Sequence, residues 1–389
     1  APTLGLLIAA RVLQGLGGGG LMTLSQALIG EVVPPRLRAR NQGYFAIIFT
    51  LASVGGPVLG GLIVQQASWR WLFLVNLPLC ALAAWRLHGL RGDDVPHPAH
   101  GRVDAAGLLL FAAAMGTSLY WVSSGGHRFA WASAPSVALA LAALALWTGL
   151  LRVELRVERR AERPFLPIDL VRRPAIRYAV LTVIGFASVM FAMVFYLPVY
   201  LQLALHSNPA QSGLMLLPLT TGIVGGAALT GRLIVWTGRP TDIPKFGLLM
   251  AAASLCALAL APADKRILIG LGFSTGLGLG SVMSVMQIVT QSEAGPARLG
   301  AAAGTISLAR TLGSSLGASV FGALIYGSIG GTLDFAALQD PQVQARVQMA
   351  FRFAFFGAAA LCALAAWTAS RVPALHFTEE LRGVEPVGE

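Results

Sequence analysis

Long apolar runs separated by short polar stretches dominate this chain. A membrane-crossing helix needs about 20 predominantly apolar residues. That measure predicts eleven spans, at 5–30, 42–64, 70–88, 105–123, 133–152, 177–203, 212–234, 245–262, 266–290, 302–326 and 348–370. The tightest connections are hairpins at 65–68 and 261–265. The expected fold class is an all-α membrane protein.

Composition supports that class. Hydrophobic residues make up 56% of the chain and charged residues 12%. A soluble domain has about 25% charged residues. Too few charges are present here to cover a water-facing surface, so the apolar surface faces lipid. The net charge of +11 invites a nucleic-acid reading. The charges argue against one, because they sit between apolar blocks on alternate sides.

Their placement sets an orientation instead. With residue 1 outside, the inner connections hold Arg36, Arg38 and Arg40, then Arg86, Arg91 and Arg102. The longest and most basic stretch, 152–177, holds eight arginines. Arg232, Arg239, Lys245, Arg298, Arg371 and Arg382 complete the inner set of twenty, against five basic residues outside. The expected location is the bacterial inner membrane, crossed many times, with the carboxyl terminus in the cytoplasm. The 152–177 stretch is either a plain orientation signal or a surface for anionic headgroups. Cys80, Cys256 and Cys362 all lie in apolar segments without metal spacing, so they act as small apolar filler. No metal cluster, cofactor loop or nucleophile constellation is evident, and no acid lies deep inside a predicted span.

An internal repeat organises the spans. A shift of 261 residues superposes Gly15, Gly17, Gly19, Met22, Gln26, Pro35 and Gly43 on Gly276, Gly278, Gly280, Met283, Gln287, Pro296 and Gly304. The register continues from Gly56 and Gly61 to Gly317 and Gly322. The first span therefore pairs with the ninth and the second with the tenth. An even offset preserves orientation, and parallel repeats are a transporter architecture with the substrate site between halves. Three spans precede the repeat register in the second copy and none in the first. The expectation is a truncated copy of a fourteen-span protein, carrying its last eleven spans. No signal peptide is visible before the first span.

Polar and bend-forming residues inside spans are the candidate functional positions. Arg11 and Gln14 share one helix face in the first span. An intramembrane arginine usually faces a cavity or an acidic partner; the alternative is a side chain snorkelling to the interface. Gly56, Pro57, Gly60 and Gly61 make a bent, closely packed helix or simply a small-residue contact. Gly231, Arg232, Gly238 and Arg239 form a tight inner loop, either a gate element or an ordinary basic turn. Tyr196, Tyr200, Gln202, Gln287 and Arg310 are candidates for lining a cavity, with interface anchoring the alternative for the aromatics.

These residues resemble the major facilitator superfamily. Arg11-Val12-Leu13-Gln14-Gly15 is similar to its fourth-helix motif. Ala52 to Gly61 resembles the fifth-helix antiporter motif, with Ala52 where glycine is preferred. Trp69 to Phe73 with Asn76-Leu77-Pro78, and Tyr196 to Gln202 with Gln211, Gly213 and Pro218, resemble the fourteen-span drug/proton antiporter branch of EmrB/QacA type. Gly231 to Arg239 resembles a degenerate second-half copy of the loop 2–3 motif, with Val235 at the usual aspartate.

The resemblance implies a bundle of two parallel-repeat halves. Residues 1–104 are the rest of the first half, equivalent to helices 4–6. Residues 105–176 are a two-helix insert with its basic cytoplasmic loop, 177–371 the six-helix second half, and 372–389 a cytoplasmic tail. It further implies a proton-coupled exporter of hydrophobic or cationic compounds working by alternating access. Arg11 and Gln14 then serve proton coupling, and Gly56, Pro57, Gly60 and Gly61 block leak. The implied partners are the lipid bilayer, the substrate, protons and a periplasmic adaptor protein. Other readings are an exporter of one metabolite, siderophore or antibiotic, and, more remotely, a membrane enzyme or a non-transporting sensor.

Overall fold

The structure, a computed structural model, describes residues 3–32, 70–88, 104–125, 128–159, 168–205, 207–261, 264–295, 298–329 and 341–373, with isolated positions between 48 and 68. The described elements are α-helices: α1 (Leu4–Val32), α2 (Trp71–Leu74), α3 (Asn76–His88), α4 (Ala105–Ser124), α5 (Ala134–Arg159), α6 (Ile168–Arg172), α7 (Pro174–Ala204), α8 (Pro209–Leu214), α9 (Leu217–Thr237), α10 (Asp242–Leu260), α11 (Lys265–Gly280), α12 (Val282–Ala294), α13 (Leu299–Ile329) and α14 (Pro341–Ser370). Helices dominate because a bilayer offers backbone groups no water, so each N–H and C=O must be satisfied within its own segment.

Among the described residues, nine stretches are long and apolar enough to cross a membrane. They match nine of the eleven predicted spans. The predicted span at 70–88 is a shorter apolar helical stretch, Trp71–Arg86, in which α2 and α3 meet at Val75 with helical backbone angles. The predicted span at 42–64 lies mostly outside the described residues, and its isolated described positions are helical. The predicted span at 266–290 is two helices with a break at Ser281, whose Oγ donates to the Gly278 carbonyl at 2.7 Å. Glycine at 276, 278 and 280 removes side chains from the helix just before that break.

Local chemistry sets the helix ends. Asp104 caps α4 by accepting from the Gly107 N–H at 2.8 Å. Asn208 caps α8 in the same way through Gln211, and Asp264 caps α11 through Arg266, both at 2.7 Å. Pro174 and Pro209 occupy first helical positions, where no N–H is needed. Gly238 ends α9 with φ +63°, a left-handed cap that glycine adopts without strain.

Helices α7 and α9–α14 share one buried core extending from Ala175 to Val372. Within it α9 packs on α11, α7 on α13, and α10 on α14 and α11. Three contacts reach backbone distance through glycine, one of them α7 against α13 at Gly313 and Gly317. A Cβ at Gly276 or Gly280 of α11 would overlap the Leu219 or Ile223 carbonyl of α9, and one at Gly222 or Gly226 of α9 would overlap Phe273 or Leu277 of α11. Gly278, on another face of α11, meets the Gly247 carbonyl of α10. In lipid, such close approach supplies the packing that the hydrophobic effect does not. Serine and threonine add cross-helix bonds: Ser188 Oγ donates to the Gly313 carbonyl at 2.8 Å, and the Thr182 and Thr368 hydroxyls meet at 2.8 Å.

Helices α4 and α5 form a hairpin of their own. Trp121 Nε1 donates to Ser136 Oγ at 3.0 Å and Trp147 Nε1 to Ser118 Oγ at 3.1 Å. Helix α4 rests on α13. Leu141, Leu144, Phe246, Trp236 and Trp367 are exposed. So broad an apolar surface suits lipid and not water.

Candidate functional site

The first site is built on α1. Arg11 Nη1 donates to Gln14 Oε1 at 3.1 Å. The three-residue spacing puts both side chains on one face. The Arg11 guanidinium lies 4.7 Å from the centroid of the Phe73 ring of α2. An arginine over an aromatic face gains about 0.5–1 kcal/mol when exposed and about 2 kcal/mol or more when desolvated. Arginine stays protonated in proteins. Arg11 therefore acts as a fixed positive charge and not as a proton carrier.

The second motif meets the same short helix. Gly60 is helical, and a Cβ placed on it would touch Leu72 of α2 at 3.6 Å. Gly56 is also helical and open, while Pro57 and Gly61 lie outside the described residues. Leu72 and Phe73 thus bring the two sequence motifs together on α2. Neither was singled out as a site residue from the sequence, because an apolar pair in an apolar run carries no polar signal.

The other candidates are dispersed. Gly231 and Arg232 lie on α9; Arg232, Gly238 and Arg239 are exposed at its end, and the Arg239 N–H donates to Thr237 Oγ1 at 3.3 Å. Tyr196 donates its hydroxyl to the Ala318 carbonyl at 2.7 Å and borders a void of about 10 Å³ between α7, α13 and α14. That volume is marginal for one water, so this contact is packing. Gln202 donates to Ser212 Oγ at 3.1 Å. Gln287 is buried on α12, and Arg310 is half-buried on α13 with its Nε enclosed. Tyr200 lies elsewhere, in a cluster with Phe351 and Phe355 at 5.1 and 5.4 Å.

Two acid positions are further findings. Helix α5 continues to Arg159, and Glu154 within it is fully buried. Its carboxylate and that of Asp104 both crowd the Cβ position of Gly107. The predicted span stopped at 152, so Glu154 was counted outside it. The other acid is Asp169 of α6. It accepts a two-pronged contact from Arg298, with Nη2 to Oδ1 at 3.0 Å. Arg173 also donates to the Glu293 carbonyl. Together these tie the basic 152–177 connection to the link between α12 and α13. The partners are 129 residues apart, and no periodicity announces them.

The hydrogen bond from Arg298 holds the Asp169 carboxyl below its ordinary value of 3.8. A lowered carboxylate stabilises above its unfolded value and loses that contribution as pH falls through the lowered one. Both side chains are nearly two-fifths exposed, so solvent screening limits the pair to about 1 kcal/mol or less. Asp169→Asn should therefore lower the unfolding midpoint slightly at neutral pH. The gap between variant and parent should begin to narrow as pH falls toward 3.8 and should close only below the lowered value, as followed by thermal unfolding across a pH series.

Comparison with known proteins places this architecture. The sequence profile of the Major Facilitator Superfamily matches residues 1–318, and the chain belongs to that family. It is 32% identical to an uncharacterized MFS-type transporter of Mycobacterium tuberculosis, over 88% of this chain and 50% of that one. It is 30% identical to the multidrug transporter protein MdtP of Bacillus subtilis, over 84% of this chain and 60% of that one. The multidrug resistance protein Stp of M. tuberculosis is 30% identical, over 86% of this chain and 61% of that one. The chain thus spans half to about three fifths of the length of these relatives. The crystal structure of a bacterial homolog to the human lysosomal transporter Spinster, inward-facing and occupied, shares the fold. It has a TM-score of 0.52 and 16% identity, covering 90% of this chain and 73% of that one. The chain is a multi-pass membrane protein with a transporter fold.

Proposed function

We propose that the whole protein is a proton-coupled exporter of hydrophobic or cationic compounds, of the fourteen-span drug/proton antiporter type, in a bacterial inner membrane. The observation that carries this reading is the meeting of two motifs on α2. The fixed charge of Arg11 and the glycine face at Gly60 both contact that four-residue helix. A fixed charge and a glycine-bearing segment meeting on one short helix suit alternating access: the charge biases a proton site, and the glycine contact resists leak. The names of relatives such as MdtP and Stp support drug-like substrates.

The remaining elements fit the same scheme. Residues 105–176 form the insert between halves, and 177–371 the second half. Gly231 to Arg239 belong to an inner gate. Gln287 and Arg310 face the pathway between halves, and a periplasmic adaptor protein extends the export route. Gly15 and Gly17 keep the spacing of Gly276 and Gly278, yet Cβ atoms there would meet nothing within 4 Å. A helix packed on α1 as α9 packs on α11 would complete the repeat.

The test uses the complete transporter in proteoliposomes with an imposed pH gradient. Ethidium should be extruded while the gradient lasts and stop when a protonophore collapses it. Extrusion indifferent to the gradient rejects proton coupling.

A further inference from the structure

A cavity among these helices lies away from the α1–α2 site. It has a volume of about 210 Å³ and sits where α7 and α10 end and α14 begins. Water occupies about 30 Å³ per molecule, so the space holds several waters or one small polar group. Its polar walls are Tyr200, Gln348 and Arg352; Leu258, Ala261 and Phe355 form the apolar side.

The polar walls are rich in donors. Arginine offers five N–H groups and no acceptor, tyrosine one O–H, and glutamine an NH₂. Gln348 and Arg352 are four residues apart on α14 and share one face. Tyr200 is only 7% exposed and faces this cavity. Among the described residues, neither its hydroxyl nor the Arg352 guanidinium has a hydrogen-bond or ion-pair partner. The Tyr200 ring is buried while its hydroxyl opens into the cavity, and the exposed Gln348 and Arg352 reach the same space from α14; a set of donors with one positive charge suits an oxygen-rich anion.

The depth selects the kind of anion. Helix α14 has 30 residues, or about 45 Å at 1.5 Å per residue. A bilayer's hydrocarbon core is about 30 Å thick. The excess falls at the amino end, where Gln342, Gln344, Arg346 and Gln348 alternate. Arg352 follows directly and stands at the boundary between headgroups and hydrocarbon. Phosphate is the anion at that level, and the guanidinium fork matches it with two parallel bonds. The carboxyl end of α10 opposes an anion with about half a negative charge, which the full charge of Arg352 outweighs.

We propose that this cavity binds a phosphate group at the membrane surface, with Arg352 as its main ligand and Tyr200 and Gln348 as added donors. On the Lys/Arg orientation that surface is the outer one. The phosphate belongs either to a lipid headgroup, whose chain would lie along Leu258 and Phe355, or to a free phosphate ion.

Native mass spectrometry and thermal unfolding of the purified 389-residue chain separate the sources. Dioleoylphosphatidylglycerol should bind saturably. Arg352→Gln should weaken it by about tenfold or more, as expected for a charged hydrogen bond. Tyr200→Phe keeps the aromatic packing and should weaken it severalfold, so it carries the test if Arg352→Gln misfolds. Arg346→Gln, outside the cavity, should bind as the parent does. Inorganic phosphate that raises the unfolding midpoint of the parent, but not of Tyr200→Phe or Arg352→Gln, identifies a free-ion site. Lipid binding without a phosphate effect identifies a headgroup site. Equal behaviour of the parent and both cavity variants toward lipid and phosphate overturns the proposal.

Discussion

In the 389-residue chain, Gly276→Ala should destabilise the fold, while the same change at its repeat mate, Gly15→Ala, should stabilise it. Both glycines sit inside helices, where alanine is favoured over glycine by about 1 kcal/mol. Among the described residues nothing lies within 4 Å of the new methyl at Gly15, so that gain stands alone. At Gly276 the methyl would overlap the Leu219 carbonyl and crowd Ile223 of α9. Backbone cannot turn aside as a side chain can, so α9 and α11 must separate. Overpacking of a close contact costs about 1–3 kcal/mol and occasionally more. Separation would also release Gly222, Gly226 and Gly280, which interlock along the same crossing. Overlap with backbone puts the cost near the top of that range, so the expected net loss at Gly276 is about 2 kcal/mol after the propensity gain of about 1 kcal/mol is subtracted. Thermal unfolding of detergent-purified variants reads both signs. A stable Gly276→Ala protein would mean that α9 and α11 do not meet through their glycines.

That contrast shows what the sequence could and could not reveal. The spans were legible because lipid demands long apolar helices whatever their neighbours. The repeat was legible because matched glycine, methionine, glutamine and proline positions survive in the residue order. What each glycine touches was not legible, since Gly15 and Gly276 are the same letter in different surroundings. Breaks inside apolar runs were hidden for a related reason. Ser281 interrupts a stretch that hydropathy treats as continuous, and the apolar helix Trp71–Arg86 is shorter than the span predicted there. The end of α5 was underestimated because hydropathy falls at Arg152 while the helix continues, which brought Glu154 into the interior. The partners of Arg11 were only half visible. Gln14 follows from helical spacing, but Phe73 comes from a segment more than fifty residues away. The Asp169–Arg298 pair and the Tyr200–Arg352 cavity depend on chain reversals that no local pattern encodes.

Arg11→Ala should abolish gradient-driven export by the complete transporter while leaving substrate binding nearly intact. A guanidinium within about 4–6 Å of a carboxyl lowers its pKa by about 1–3 units. The proposed coupling requires a proton-carrying acid to face Arg11 in the complete transporter; without the charge that acid would keep its proton at neutral pH and exchange against substrate would stall. Arg11 itself contributes no proton, and the defect should therefore appear as an altered pH profile and not as a uniform loss of affinity. Arg11→Lys keeps the charge but loses the fork that reaches Gln14 and the flat stacking on Phe73. It should retain part of the activity with a shifted pH optimum. Phe73→Leu keeps the charge and removes only the aromatic contact, worth about 0.5–1 kcal/mol at an exposed site, so its effect should be the smallest of the three. The readouts are ethidium efflux at a series of internal and external pH values and ethidium binding by fluorescence polarisation. Arg11→Ala transport with the parent's rate and pH profile would instead make Arg11 an interfacial side chain snorkelling to the headgroups, its bond to Gln14 a local helix contact without a part in coupling.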